Sequence, residues 1–231
     1  MSDKRSQLSY IFNDLQLIQV PSLSSKWAWF IQELPSLCIP LYFLFVNFIN
    51  LTFTSTLILV VFCLHYLNRA LIYPFLIKSV QSTPLHIFLL SFIFCLINGY
   101  MQGAWHSHLM YISVIDTLLC EVKLTGVLVF FTGMTINIKS DSLLRNLRKD
   151  GNRGYKIPYG GLFNYISGAN FFGECVEWIG YAIFARTLPA FAFAFFTLCN
   201  LAPRAYQHHT WYHEHFYNYP KDRKAFIPFV I

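Results

Sequence analysis

An acid, a phenol, a guanidinium and several amides fall inside stretches of this chain otherwise built from apolar residues, and their spacing is helical. Gln32 and Glu33 follow the aromatic run Trp27, Trp29 and Phe30, and Trp29 and Glu33 lie one turn apart on one face. His65, Tyr66 and Arg69 make a second group, with Arg69 four residues from His65 and three from Tyr66. Asn170, Glu174, Glu177 and Tyr181 recur at helical spacing in a third, and Arg204, His208 and Tyr212 form an i, i+4, i+8 stripe in a fourth. Glu174 and Glu177, two carboxylates three apart on one face, could be a proton site or hold a ligand's polar end. An ionisable side chain within a span costs several kcal/mol or more, about 2.5–3.5 kcal/mol on insertion scales, so each is a functional candidate. Each also has a plainer reading. Glu33 could snorkel from a helix end, Arg69 could need only a carboxylate or phosphate partner, and Glu174 and Glu177 could simply pair with Arg69 or Arg204.

A fifth group is basic. Asn137, Asp141, Arg145 and Arg148 share a helical stripe, followed by Lys149, Arg153 and Tyr155. Lys and Arg beside a membrane commonly meet lipid head groups. The carboxylate and amide among the guanidiniums also suit a nucleotide, with Arg for phosphates and Asp or Asn for ribose or base. No Gly-x-Gly-x-x-Gly or Walker motif is present, so a nucleotide would have to bind between spans by side chains. His209 and His213 could ligate a metal, joined by His106 and His108. However, His213-Glu214 lacks the second His of the zinc-protease motif, and no repeated His-x-x-His-His box exists. No metal centre is expected.

The elements that must position these groups are membrane helices. The 231 residues are 55% hydrophobic and 12% charged, about half the charged fraction of a soluble domain. No Asp, Glu, Lys or Arg occurs between Glu33 and Arg69 or between Lys78 and Asp116, and each gap holds at least one span of roughly 20 residues. The pattern predicts an all-α integral membrane protein of about six spans, near 27–48, 52–77, 84–110, 118–138, 162–185 and 188–210. Residues 1–26 read as a polar arm, too polar to span and without the apolar core of a secretory signal; 27–231 form one membrane domain. The polar stretch 139–161 is expected to be a loop.

Basic residues mark the cytoplasmic side. Lys139, Arg145, Arg148, Lys149, Arg153 and Lys156 crowd the predicted loop, and Arg204, Lys221, Arg223 and Lys224 crowd the tail, two spans later and therefore on the same side. Lys4, Arg5, Lys26 and Lys78 fall there too, with Lys123 and Arg186 as exceptions. The net charge of +6 is thus a topology signal and needs no nucleic-acid partner. The six cysteines are scattered singly, without metal-ligand spacing, and read as reduced packing residues.

From about Trp27 to Ile231 the chain resembles the steroid 5α-reductase family. The matching stretches are Trp29-Phe-Ile-Gln-Glu-Leu-Pro35, Cys63-Leu-His-Tyr66 with Arg69, Asn98-Gly99 with Gln102-Gly103, and Gly133-Met-Thr-Ile-Asn137. They continue through Asp141, Leu144-Arg145-Asn-Leu-Arg148, Gly160-Gly-Leu-Phe163, Tyr165-Ile-Ser-Gly-Ala-Asn170, Gly173-Glu174 and Glu177-Trp-Ile-Gly-Tyr181. The end matches as Tyr219-Pro220 and Arg223-Lys-Ala-Phe-Ile-Pro-Phe229.

The resemblance implies an endoplasmic-reticulum membrane enzyme that reduces the 4,5 double bond of 3-oxo-Δ4 steroids such as testosterone or progesterone with NADPH. It maps the contacts to the steroid 3-ketone onto Glu33 and Tyr66. Cofactor contacts map onto Trp29, Asn137, Asp141, Arg148, Tyr155, Asn170, Glu174, Arg204, His208 and Tyr212. The family ordinarily has seven spans, and the first is absent here, replaced by the polar arm. The family's basic turn between the next two helices is reduced to Lys78-Ser-Val-Gln-Ser-Thr83, leaving Lys78 for phosphate contact. The partners expected are a steroid and membrane lipid, with no obligate protein partner. Two other readings remain. One is a reductase of another lipid, a polyprenol or an enoyl thioester; the other is a non-catalytic sterol- or nucleotide-binding membrane protein.

Overall fold

The computed structural model describes residues 21–77, 82–109, 120–147 and 155–231. Six main helices follow in order: α1 (Ser25–Val46), α2 (Phe53–Leu76), α3 (Leu85–Ala104), α4 (Cys120–Asn146), α5 (Ala169–Ala185) and α6 (Leu188–His215). All but α5 are long and apolar enough to cross a bilayer. At 17 residues, α5 reaches the lower end of the range that spans. The chain is an all-α, multi-pass membrane protein. Its short sheet pairs β1 (Ser22–Ser24) antiparallel with β2 (Ser82–Pro84), tying the start of α1 to the start of α3. Within the polar arm, Ser22–Ser24 are thus strand and Ser25 and Lys26 begin α1, while residues 1–20 lie outside the described residues.

Two small-residue seams set how close the helices come. Packing in lipid relies on close backbone approach more than on the hydrophobic effect. On α3, a Cβ at Gly99 would sit 2.9 Å from the Pro35 carbonyl oxygen, and one at Gly103 would sit 2.5 Å from the Phe43 ring. That seam presses α1 onto α3. The second joins α4 to α5 in antiparallel register: a Cβ at Gly126 would lie 2.5 Å from the Phe184 nitrogen, and one at Gly173 would lie 2.6 Å from that of Asn137. Between the seams, Ile58, Phe62, Tyr66, Phe130, Trp178, Tyr181 and Phe193 form the principal core.

Within α2 the helix widens to π geometry over Leu67–Ile72, where the Tyr73 N–H donates to the Asn68 carbonyl, five residues back. Pro74 supplies a local cause: it has no N–H, and its ring would collide with the Ala70 carbonyl of a regular α-helix. Such widened turns often coincide with functional sites. Here it carries Arg69.

Three sequence expectations need correction. The stretch from 139 is helical, because α4 runs to Asn146. Lys139 and Arg145 therefore lie on that helix, and its polar face finds partners on α5. Conversely, α5 begins at Ala169, seven residues after the expected start. The preceding backbone is taken by the tail: Ser167 N donates to the Lys224 carbonyl at 2.8 Å and Gly168 N to that of Ala225 at 3.0 Å. The last helix continues five residues past the expected 210, which keeps Arg204, His208 and Tyr212 on one element.

Candidate functional site

Arg69 is the hub of the polar half of the site. Its guanidinium donates from one nitrogen to Asp141 at 3.1 Å and from another to Glu174 at 3.0 Å. Its plane lies over the rings of Trp29 and Tyr73, at 4.9 and 4.7 Å. Asn137 donates to the Asn170 carbonyl at 3.0 Å and to Glu174 at 3.4 Å. Asn170 in turn donates to Asp141 at 3.3 Å. The glycine seam makes these contacts possible: Asn137 and Asp141 rise from α4 one turn apart and meet Asn170 and Glu174, one turn apart on α5. Five expected cofactor contacts, Trp29, Asn137, Asp141, Asn170 and Glu174, therefore form one cluster.

The expected substrate pair adjoins it. Glu33, one turn along α1 from Trp29, accepts from Gln32 at 3.2 Å and from the Cys95 thiol at 3.6 Å. Tyr66, buried at 3% exposure, accepts from Asn98 at 3.5 Å. Cys95 and Asn98 are three apart on α3, so one face of that helix lines both groups. The α1–α3 seam fixes this wall, reinforced by Ser36 Oγ donating to the Cys95 carbonyl at 2.9 Å.

The other expected residues lie toward the α6 end. Arg204 and His208 are exposed, and the His208 ring lies 5.7 Å from Phe171, next in sequence to Asn170. Tyr212 is buried and stacks on Tyr219 at 5.1 Å. Tyr155 is exposed and packs on Trp211 at 4.8 Å. Arg148 and Lys78 fall outside the described residues. Arg223, grouped with the basic tail, is instead buried, donating to the Pro158 carbonyl at 3.1 Å and to Tyr219 at 3.3 Å.

Sequence reasoning left open whether Glu174 and Glu177 act as a pair. They face different partners: Glu174 meets Arg69, whereas Glu177 bonds His65 at 2.8 Å in the apolar core. The two amides Asn98 and Gln102 were noticed only as marks of resemblance, although amides one turn apart in a charge-free span are themselves a signal.

The fold and the site together define a polytopic helical membrane protein with a charged cluster set against a half-buried acid and a buried phenol. A family model described as 3-oxo-5-alpha-steroid 4-dehydrogenase matches residues 81–231. Bos taurus 3-oxo-5-alpha-steroid 4-dehydrogenase 1 is 48% identical over 215 residues, covering 90% of this chain and 82% of the relative. The Homo sapiens type 1 protein is 46% identical over 215 residues (92% and 82%), and the type 2 protein 46% over 211 (90% and 82%). The chain belongs to the 3-oxo-5-alpha-steroid 4-dehydrogenase family.

Proposed function

We propose that this protein reduces the 4,5 double bond of 3-oxo-Δ4 steroids, such as testosterone or progesterone, to their 5α-dihydro products, with NADPH as reductant. The single observation that carries the reading is the continuity of its two halves. Trp29 and Glu33 are neighbours on α1, one over Arg69 in the charged cluster and the other beside the wall that holds Tyr66.

The donor set fits a dinucleotide. Asn137 and Asn170 offer amides and Asp141 and Glu174 carboxylates, a combination suited to ribose hydroxyls and a carboxamide. Trp29 offers a ring face. Arg204, exposed on α6, would meet phosphate along with Arg148, while Tyr155, His208 and Tyr212 border the same end. When bound, the cofactor supplies hydride to the β-carbon of the enone.

The chain's residues then act on the substrate oxygen. As charge moves onto the ketone, the enolate oxygen needs donors already aimed at it, since preorganised donors cost no reorganisation in a water-poor site. Tyr66 donates its hydroxyl hydrogen. Glu33, when protonated, donates as well. Reduction is completed by a proton taken up from solvent, directly or by relay, at the α-carbon. The reading includes an endoplasmic-reticulum membrane, with the α4–α5 connection and the C-terminal tail facing the cytoplasm, consistent with the basic residues there.

The test is to express the chain in microsomes and supply testosterone or progesterone with NADPH. A 5α-dihydro product is expected. Its absence from folded protein that binds the cofactor overturns the proposal. Tyr66→Phe and Glu33→Ala should each lower kcat by about 10²–10³, the scale of losing one oxyanion donor.

A further inference from the structure

Beyond the groups expected to touch substrate, a sealed file of neutral polar side chains leads away from Tyr66 into the core. Gln102 Nε2 donates to the Pro189 carbonyl at 3.0 Å and to Asn98 Oδ1 at 3.3 Å, which uses both amide hydrogens. Gln102 Oε1 accepts from the Tyr181 hydroxyl at 3.1 Å. Asn98, its oxygen taken, presents Nδ2 to the Tyr66 oxygen at 3.5 Å, the longest link.

The polarity of this file has one consistent solution. A carbonyl can only accept, so Pro189 fixes which end of Gln102 faces it. That choice turns the Gln102 oxygen to Tyr181 and the Asn98 amide hydrogens to Tyr66. Turning either amide over sets oxygen against oxygen, or strands a buried donor at a cost of about 1–3 kcal/mol. Gln102 and Tyr181 are fully buried and Asn98 nearly so, which leaves no bulk solvent to accept the reversed arrangement. The phenol ring is held as well, by Phe62 at 4.8 Å and Trp178 at 6.0 Å.

We propose that Asn98, Gln102 and Tyr181 are positioning residues, a directional hydrogen-bond chain that turns the Tyr66 hydroxyl hydrogen toward the substrate's ketone oxygen. This rests on the reading of Tyr66 as an electrophilic donor. Asn98 occupies a lone pair of the phenol oxygen, so the phenol hydrogen is directed away from Asn98. The chain moves no proton; its amides orient and polarise. A donor bond to the phenol oxygen strengthens as Tyr66 gives up hydrogen density to an enolate, so the effect belongs to kcat.

The experiment measures kcat and KM in membranes for Asn98→Asp, Asn98→Ala and Tyr181→Phe, each alone and combined with Tyr66→Phe. Aspartate keeps the shape but would accept the Tyr66 hydrogen, so Asn98→Asp should approach the loss given by Tyr66→Phe, on the order of 100-fold. Asn98→Ala should lower kcat about 10-fold, and Tyr181→Phe, which removes one hydroxyl and retains the packing, about 2- to 3-fold. KM for steroid and cofactor should stay within about 2-fold in all three. None should lower kcat further once Tyr66 is phenylalanine. Equal losses in the Tyr66→Phe background, or full kcat in Tyr181→Phe, overturn the proposal. Full kcat in Tyr66→Phe alone overturns instead the reading of Tyr66 on which it rests.

Discussion

Arg69, Asp141 and Glu174 keep 11%, 7% and 15% of their side-chain surface exposed, whereas Gln102 and Tyr181 keep none. Both regions are networks of polar groups among apolar helices, yet one is built from slightly exposed charges and the other from neutral groups in a sealed interior. Charges with some solvent contact can exchange partners when a ligand arrives. A neutral file without water keeps one fixed direction. The contrast teaches where this fold places adaptability and where it places rigidity: adaptability in the cluster proposed to receive the cofactor, rigidity behind the phenol proposed to aim at the ketone.

The comparison breaks most severely at Arg69. Arg69→Met leaves two carboxylates facing each other without a cation, and should destabilise the protein by about 3–5 kcal/mol, the cost of removing one partner of a buried ion pair. Thermal unfolding in detergent would show it. Adding Asp141→Asn and Glu174→Gln to that variant should restore much of the stability while abolishing NADPH binding, which separates the two duties of the cluster. Gly133→Ala comes next. A methyl there meets the backbone of Glu177, and prying α4 from α5 should cost about 1–3 kcal/mol and weaken cofactor binding, because Asn137 and Asn170 lie one turn away. Gln102→Leu should cost about 1–3 kcal/mol through the Tyr181 hydroxyl left without its acceptor, with cofactor affinity unchanged. Lys221→Ala, on the exposed tail, should stay within about 0.5 kcal/mol and serves as the baseline.

Much of the fold was legible because absence of charge is a local signal. The gaps from Glu33 to Arg69 and from Lys78 to Asp116 bound α1, α2 and α3 to within a few residues of Ser25–Val46, Phe53–Leu76 and Leu85–Ala104. The i, i+4 stripes were legible for the same reason, and they brought Trp29, Asn137, Asp141, Asn170 and Glu174 to one cluster. What stayed hidden depended on partners distant in the chain. Near residue 140 the stripe of Asn137, Asp141 and Arg145 is helical in spacing, but the loss of apolar character hid that α4 continues, since its polar face is stabilised by Asn170 and Glu174. Nothing near residue 165 says that its backbone is reserved for Lys224 and Ala225. The direction of the Asn98–Gln102 file hinges on the Pro189 carbonyl, 87 residues from Gln102, a group every residue carries and no sequence pattern marks.

Isotope transfer reaches the central claim most directly, that the charged cluster holds NADPH while Glu33 and Tyr66 hold the ketone beside it. The intact chain in membranes would be given testosterone and NADPH carrying deuterium at the nicotinamide C4, on each face in parallel. The account predicts 5α-dihydrotestosterone with one deuterium at the former β-carbon from one of the two cofactors. Folded protein that leaves both cofactors unconsumed, or a product free of deuterium from either, would contradict it.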